Sequence, residues 1–198
     1  MIRSAKKTDS SSLAKLHAET LTTSFLASLG QAFLCNLYTF LIQKEKVWVY
    51  EEDDKIKGFV SFSVNSSGMM KRFIFHCPGC LFLLAIKTIV QPANLKRFLE
   101  TFRAPFKSQK ANDFIELPSG ELLSISVSPT CQASGIGSQL VKALEDYLHQ
   151  NQIASYKVVA GVELFGANKF YIKNGFVLAK QIRIHEEKLS NVYIKHLD

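Results

Sequence analysis

At 198 residues, with 47% hydrophobic and 21% charged residues, the chain suits one globular domain, 1–198, with a sizeable core. The N-terminal run MIRSAKKTDSSS has no apolar core, so we do not expect a secretory signal. The most apolar window, FIFHCPGCLFLLAIKTIV, is interrupted by His76, Pro78, Gly79 and Lys87, and it lacks the ~18 uninterrupted apolar residues of a membrane span. These features predict a cytoplasmic protein with reduced thiols and no membrane span.

The positive charge lies in one segment. Between Met69 and Lys110 there are eight basic residues and a single acidic one, Glu100, so this segment accounts for the entire net charge of +7. The basic residues are Lys71, Arg72, Lys87, Lys96, Arg97, Arg103, Lys107 and Lys110. Such a segment is either a solvated basic face or a surface for an acidic partner: a phosphorylated small molecule, nucleic acid or an anionic membrane surface.

The first third of the chain predicts a strand, two helices and a hairpin. A short strand covers Met1–Lys7, and Asp9 is placed to cap the helix that follows. After Gly30 the run QAFLCNLYTFLI repeats apolar residues at helical spacing. The runs VWVY and IKGFVSFSV flank the acidic turn EEDDK, which is typical of a β-hairpin.

Residues 69–118 read as two or three short helices punctuated by prolines, and they form an insertion in the strand pattern. The strand ELLSISV, a glycine loop and an amphipathic helix from about Gly135 to Gln150 follow. YKVVAGV is a buried strand, and LFGANKFYIKN is a helix that ends at Asn174-Gly175. Two strands around the turn at residues 185–187 complete one mixed sheet, so the fold class is α/β (α+β).

The loop within VSPTCQASGIGSQL (127–140) has the composition of an anion site, because small residues join a strand to a helix N-terminus where backbone N–H groups are free. A dinucleotide-binding fingerprint needs a third glycine, and Leu140 occupies that place. A P-loop needs Lys and Ser or Thr after its last glycine, but Gly137 is followed by Ser138 and Gln139. Both alternatives therefore fail.

Two motifs together resemble the GNAT superfamily of acetyl-CoA-dependent N-acetyltransferases. The first is the Q/R-x-x-G-x-G/A signature after a strand ending in V-x-P, and its matching residues are Val127, Gln132, Gly135 and Gly137. The second is A-x-x-F-Y-x-K-x-G-F, matched by Ala167, Phe170, Tyr171, Lys173, Gly175 and Phe176. The resemblance covers residues 120–198 well and 1–65 loosely, but not the basic insertion. It implies a mostly antiparallel GNAT-type central sheet flanked by helices, with the helical insertion at 69–118.

The resemblance implies that the loop binds the pyrophosphate of acetyl-CoA. The implied cofactor-binding residues are Ser126, Val127, Gln132, Ala133, Ser134, Gly135, Ile136, Gly137, Ser138, Asn168 and Tyr171. The backbone around Ser126 and Val127 would hold the pantetheine arm and the thioester carbonyl. The chain departs from the family at Leu164, where an asparagine is common, and Asn168 is the candidate to replace that contact.

Two residues are candidates for catalysis. Tyr171 occupies the family's position for the acid that reprotonates coenzyme A; the alternative is a core tyrosine packed beside Phe170. Glu121 lies six residues before Val127, where the histone-modifying branch keeps its glutamate base, and strict strand alternation would place it on the face of Leu123, Ile125 and Val127. The alternatives for the base are an ordinary strand-end carboxylate at 121, reserve candidates at Glu116 and Glu163, or water alone.

We predict no metal site. His76, Cys77 and Cys80 resemble half of a metal or redox site, but no second paired cluster exists in the sequence, and Pro-Gly between them indicates a turn. Cys131 could carry an acyl group only with a base partner that the sequence does not provide. Neither cysteine motif is assigned a role.

The predicted activity is direct transfer of an acetyl group from acetyl-CoA to a primary amine of a small, anionic acceptor, such as a nucleotide-linked amino sugar. The predicted acceptor walls are Thr22–Gly30 and the insertion 69–118. Two alternatives are an acetyltransferase for protein or peptide amines and a non-catalytic module that binds acyl-CoA. Nucleic-acid binding is disfavoured, and a homodimer is an open alternative.

Overall fold

The computed structural model describes residues 1–22, 24–79, 116–185 and 188–197. In this part of the chain, seven strands form one sheet in the order β1-β2-β3-β4-β5-β7-β6. The strands are β1 (Ile2–Ser4), β2 (Lys46–Glu52), β3 (Lys55–Ser63), β4 (Glu121–Val127), β5 (Ser155–Gly161), β6 (Val177–His185) and β7 (Lys188–His196). Among these seven strands only the central pair β4–β5 is parallel, so the predicted mixed, mostly antiparallel sheet is confirmed.

Helices cover both faces of the sheet. They are α1 (Ser10–Thr20), α2 (Phe25–Ser28), α3 (Gln31–Lys44), α4 (Met69–His76), α5 (Ile136–Gln150) and α6 (Phe165–Lys173). Helices α1, α3 and α4 bury one apolar cluster, which includes Leu13, Phe33 and Phe59, against what we call the α1 face. Helices α5 and α6 bury a second cluster against the opposite α5 face, including Leu140 and Tyr156.

The hairpin between β2 and β3 follows its sequence signal. Asp53 and Asp54 form the two-residue turn, and both have positive φ, at 49° and 56°. Positive φ at both central positions is the conformation of a type I′ turn, whose twist matches that of the flanking strands. Helix α6 also ends as predicted, at Asn174 and Gly175, where Gly175 has φ of 83°.

The predicted role of Asp9 as a helix cap is wrong. Asp9 does stand at the N-cap of α1, but its side chain makes no capping hydrogen bond there. One of its carboxylate oxygens instead accepts hydrogen bonds from Arg3 (2.7 Å) and from the backbone N–H of Lys6 (2.7 Å). Arg3 also binds Glu51 of β2, so these charged groups tie β1 to the start of α1.

A β-bulge interrupts β4, and it corrects the predicted alternation of side chains. In the register with β3, Phe62 pairs with Leu122 and Ser61 pairs with Ser124, so Leu123 is an extra residue. Leu123 consequently packs in the α1-face cluster, whereas Ile125 and Val127 pack in the α5-face cluster. The prediction that these three residues share one face is therefore wrong, because strict alternation holds only in a regular strand.

Most of the predicted helical insertion lies outside the described residues. Helix α4 forms its first part, and Arg72 on that helix donates to Glu45 (2.7 Å) and to the backbone oxygens of Asn65 and Ser67. Six of the eight basic residues of the segment, from Lys87 to Lys110, lie among the residues not described. No helix among the described residues is long and apolar enough to cross a membrane.

Candidate active site

The sheet opens between β4 and β5. The two strands pair only at Glu121 with Lys157 and at Leu122 with Val158. Beyond this point β4 continues to Val127 along β3, while β5 continues to Gly161 along β7, so the carboxyl ends of the two strands separate. A gap at the carboxyl ends of parallel strands is a place where α/β proteins bind ligands.

The backbone of β4 offers hydrogen-bonding groups to this gap. Ser128 N–H donates to Lys57 O of β3 (2.7 Å), which makes 57 and 128 a hydrogen-bonded pair. In an antiparallel ladder such pairs alternate with pairs whose N–H and C=O groups point away from the partner strand. Ile125 and Val127, opposite Val60 and Gly58, are of the second kind. Their N–H and C=O groups therefore face the gap and are available to an extended ligand.

At the outer end of the gap, the loop 128–135 leads into the N-terminus of α5. A 3-10 turn (Pro129–Cys131) comes first, then Ala133 with φ of 62° and Gly135 with φ of 85°. The N-cap residue of α5 is Gly135, which has no side chain to cap the helix, so among the described residues the N–H groups of the first turn, starting at Ile136, stay available, together with the positive end of the helix dipole. Ser134 donates its hydroxyl proton to the carbonyl of Cys131 (2.5 Å), which holds the loop closed.

The two glycines of this loop are required for different reasons. At Gly135 there is open space for a Cβ atom, but the positive φ strains any other residue. At Gly137 the conformation is helical, and a Cβ would lie 2.9 Å from Cε2 of Phe170 on α6. Gly137 thus permits α6 to approach the N-terminus of α5, a packing role that the sequence motif alone does not reveal.

We expect Gly137→Ala to lower both stability and affinity for acetyl-CoA. The new methyl group must displace the Phe170 ring, and such overpacking costs about 1–3 kcal/mol. Gly166→Ala on α6 is the matched control, because its Cβ would have no atom within 4 Å and alanine favours a helix; that variant should be as stable as the parent or more so. Urea unfolding and isothermal titration with acetyl-CoA measure both effects. Equal stability of Gly137→Ala and the parent would contradict this account of the loop.

Tyr171 of α6 lies near the inner end of the gap. Its side chain is 6% exposed and packs edge-on against Phe176 (centroids 5.4 Å apart) and beside Tyr193 (5.9 Å). Tyr193 is the partner of Val158, the last residue of β5 that pairs with β4. Burial raises the pKa of the Tyr171 phenol above its ordinary value of 10, so the hydroxyl keeps its proton at neutral pH. Within the described residues this hydroxyl has no hydrogen-bond partner, and it is not a fully buried atom.

Glu121 lies at the same level of the gap but on the opposite face. Its carboxylate forms an ion pair with Lys157 Nζ (3.5 Å), a lysine that is 3% exposed. The ammonium group of Lys157 also donates to Pro118 O (2.5 Å) and Ser66 Oγ (3.3 Å), and burial lowers the pKa of this lysine. Since Tyr156 and Val158 face α5, Lys157 and Glu121 lie on the α1 face. The structure thus separates the two predicted catalytic residues by the thickness of the sheet.

Asn168 is buried on α6 and is occupied by the protein itself. Its Nδ2 group donates to the carbonyls of Gly161 (2.9 Å) and Leu164 (2.8 Å). Its Oδ1 accepts from Asn191 Nδ2 and from the Tyr193 hydroxyl, both at 2.8 Å. The side chain of Asn168 therefore joins the β5–α6 connection to β7. A cofactor contact through it stays a prediction, and it would have to displace these bonds.

The remaining predicted residues fall outside this arrangement or at its edge. Glu163 and Glu116 are exposed, and Cys131 is half-buried in the loop before α5. His76 binds the Gln43 side chain (3.2 Å), while Cys80 lies outside the described residues. Across the described part of the chain, no group of three or more His, Cys, Asp or Glu side chains is close enough to hold a metal ion.

Sequence reasoning missed a polar cluster on the α1 face. His17 Nδ1 and the Tyr38 hydroxyl lie 2.7 Å apart, and both side chains are 1% exposed. The hydroxyls of Thr20 and Ser126 also meet on this face, 2.5 Å apart. These partners are 21 and 106 residues apart in the chain, so no short-range spacing could have indicated them.

The comparisons with known proteins agree with this geometry. Residues 103–178 match the family model of the acetyltransferase (GNAT) domain, which spans both sequence motifs. The matched region, 76 of the 198 residues, is similar to that domain. The match supports the predicted family and the predicted class of enzyme, an acyltransferase. A search of the curated proteins gives no significant match.

Several solved structures share the fold of the GNAT domain. An N-acetyltransferase from Staphylococcus aureus Mu50 is 16% identical, with TM-score 0.61 over 100% of this chain and 98% of that one. The ribosomal-protein-alanine N-acetyltransferase of Brucella melitensis is 14% identical, with TM-score 0.62 over 100% and 99%. A Salmonella typhimurium protein, solved with its cofactor acetyl-CoA, is 14% identical, with TM-score 0.61 over 100% and 94%. At these identities the similarity establishes the fold.

Proposed function

We propose that the protein transfers the acetyl group of acetyl-CoA directly to a primary amine within a ternary complex. The gap between β4 and β5 is the observation that carries this proposal. Its outer end meets the uncapped N-terminus of α5, and its inner end has Tyr171 on one face and Glu121 on the other. A thioester reaching the inner end from the α5 face would meet an amine arriving from the α1 face.

The residues around the gap fit acetyl-CoA. The N–H groups at the start of α5, from Ile136 to Ser138, suit its pyrophosphate, and the Ser138 hydroxyl adds a donor. The outward backbone groups of Ile125 and Val127 suit the amides of the pantetheine arm, in the manner of an added strand. One of these N–H groups would then stabilise the negative charge that develops on the thioester oxygen.

The reaction needs two proton transfers, and one would take place on each face of the sheet. An alkylamine has a pKa near 10, so it must lose a proton before its nitrogen can attack the thioester carbon. Glu121 lies on the α1 face, from which the amine would arrive, but about 13 Å along β4 from Ile125. It would therefore accept this proton through water. As the new C–N bond forms, the C–S bond breaks, and the leaving thiolate takes the Tyr171 proton on the α5 face.

The charge of the chain supports an anionic acceptor, such as a nucleotide-linked amino sugar. The segment from Met69 to Lys110 carries the whole net charge of +7, and its first helix borders the α1 face. Of its basic residues that the structure describes, Lys71 and Arg72 are both exposed, and Arg72 is paired with Glu45 and with backbone oxygens. Residues 22 and 24–30, next to α1, would form the other wall of the acceptor site.

Two other functions have a specific motivation. The fold is shared with a ribosomal-protein-alanine N-acetyltransferase, which motivates a protein or peptide N-terminus as acceptor. The departure from the family at Leu164 motivates a module that binds acyl-CoA without transferring the acyl group.

A thiol-release screen with acetyl-CoA separates these three functions. We expect turnover with amines that carry phosphate or carboxylate, and much less with polyamines of similar size. Turnover with acidic peptides alone would favour the protein acetyltransferase. Tight binding of acetyl-CoA by calorimetry with no thiol release from any amine would favour the binding module, and a strong preference for polycationic amines would overturn the anionic acceptor.

A further inference from the structure

A single buried lysine binds the inner end of the gap to both ends of the basic insertion. Lys157 of β5 is 3% exposed, and its ammonium group lies 3.5 Å from a carboxylate oxygen of Glu121. The same group donates to Pro118 O (2.5 Å) and to Ser66 Oγ (3.3 Å). Ser66 stands just before the insertion 69–118, and Pro118 is the last residue of that insertion. An ammonium group has three N–H donors, and these acceptors among the described residues match all three.

The backbone brings the two ends of the insertion together at the same place. Ser66 N–H donates to Ser119 O (3.1 Å), which joins one end directly to the other. Lys157 N–H donates to Gly120 O (3.0 Å), so β5 also binds the residue that leads into β4. Glu121, the first residue of β4, is the partner of Lys157 in the short parallel ladder. Lys157 therefore lies where the insertion, β4 and β5 meet.

Stability alone is a poor reason for a lysine at this position. A buried charge costs free energy, and an ion pair in the interior is often no more stabilising than apolar residues of the same size. Burial lowers the pKa of Lys157, and the nearby charge of Glu121 raises it, so the charge of the lysine is supported by its partner. Such a group constrains its surroundings, because each acceptor must stay in place for the buried ammonium to remain satisfied.

We propose that Lys157 is a positioning residue of the acetyl-transfer site: it fixes the Glu121 carboxylate relative to the two ends of the insertion. The inference rests on the proposed function, in which Glu121 accepts the proton of the amine through water and the insertion forms one wall of the acceptor site. A base takes up a proton efficiently only when it and the bound substrate are held in a fixed geometry. Lys157 holds the base and the ends of the wall with one side chain.

The test is Lys157→Met, which keeps a side chain of similar length and removes the ammonium group. The kinetics use acetyl-CoA and the amine with the highest turnover in the thiol-release screen, which we expect to be a nucleotide-linked amino sugar. We expect kcat to fall about tenfold or more and the KM for the amine to rise about fivefold or more, while the KM for acetyl-CoA stays within about twofold of the parent. A kcat or an amine KM within about twofold of the parent value would overturn the proposal.

A second pair of variants separates the two effects. Glu121→Gln should itself lower kcat by about 10²-fold or more. Because Lys157 acts on the chemical step through Glu121, adding Lys157→Met to Glu121→Gln should lower kcat by less than about twofold further. The KM for the amine should still rise about fivefold, since the ends of the insertion lose their bonds to Lys157 in either background. A further fall in kcat of about tenfold, or an unchanged amine KM, would contradict the proposal. The double variant leaves no carboxylate without its cation, so it keeps the test open if Lys157→Met alone is too unstable to purify.

A loss of stability alone is separated from positioning by a control at the far edge of the sheet. Arg3 is also a cation that joins separate segments, through its bonds to Asp9 and Glu51, but β2 and β3 lie between its strand and β4. At a matched fall in melting temperature, Arg3→Met should keep kcat and the amine KM within about twofold of the parent. Equal losses in Arg3→Met and Lys157→Met would mean that reduced stability explains both.

A readout without activity keeps the inference apart from the proposed function. In the ligand-free protein, Lys157→Met should speed hydrogen exchange of the Ser66 N–H about tenfold relative to the amides of α5, and Arg3→Met should not. If the parent protein transfers no acetyl group, the proposed function fails while this exchange rate still reports whether Lys157 holds the ends of the insertion. If the exchange of Ser66 is unaffected by Lys157→Met, the positioning role is wrong whatever the activity of the parent.

Discussion

Tyr171→Phe is expected to lower kcat by about 10²–10⁴-fold, the range for removal of a general acid. The substitution removes only the hydroxyl, because the phenylalanine ring retains the contacts with Phe176 and Tyr193. That hydroxyl has no partner among the described residues, so the free energy of unfolding should change by less than about 1 kcal/mol. Steady-state thiol release and urea unfolding of the same preparation measure the two quantities.

The loss should be equal at pH 7 and pH 9. Burial raises the pKa of Tyr171 above its ordinary value of 10, so the hydroxyl remains protonated, and able to donate, throughout this range. Tyr147→Phe is the matched control, since Tyr147 of α5 packs against Trp48 of β2, away from the inner end of the gap. Removal of the Tyr147 hydroxyl should leave kcat unchanged. Undiminished turnover in Tyr171→Phe would mean that solvent protonates the leaving thiolate, and it would leave Tyr171 as a packing residue.

The parts of the fold that follow from local chemistry were predictable from the sequence. The hairpin turn at Asp53-Asp54, the α6 end at Gly175 and the loop before α5 all depend on residues within a few positions of one another. The two motifs, 127–137 and 167–176, likewise identify the elements at the carboxyl ends of β4 and β5. Backbone preferences and family motifs both depend on residues that are close together in the sequence, so both predict the same elements.

The interior of the site was not predictable in the same way. Nothing in ELLSISV marks Leu123 as an extra residue, because a bulge is set by the register with β3. The carboxylate of Asp9 has the right position for a cap, yet it accepts hydrogen bonds from Arg3 and from the N–H of Lys6 instead. Asn168 has the side chain of a ligand contact, but burial surrounds it with protein partners. Each of these outcomes depends on contacts that form only when distant segments pack.

Asn168→Ala is expected to lower the free energy of unfolding by about 2–3 kcal/mol. The truncation leaves the buried Tyr193 hydroxyl without its acceptor and removes the nearer acceptor of Asn191 Nδ2, which still lies 3.3 Å from the Tyr193 oxygen. The carbonyls of Gly161 and Leu164 lose one donor each but keep the backbone N–H groups of Leu164 and Asn168. Each buried group left unpaired costs about 1–3 kcal/mol, and the costs are less than additive because the groups share one site.

Asn174→Ala is the matched control, because it removes the same amide from the same helix but only a single side-chain bond, to the Phe170 carbonyl (2.8 Å). It should cost about 1 kcal/mol. The loss of stability in Asn168→Asp should fall between those of the two alanine variants, because one carboxylate oxygen can still accept hydrogen bonds from Asn191 and Tyr193. The other carboxylate oxygen would face the two carbonyls that the amide group binds in the parent. If Asn168 instead contacts acetyl-CoA, the alanine variant will unfold like the parent and bind the cofactor more weakly. Urea unfolding with and without acetyl-CoA distinguishes these outcomes, because a lost cofactor contact appears only when the ligand is present.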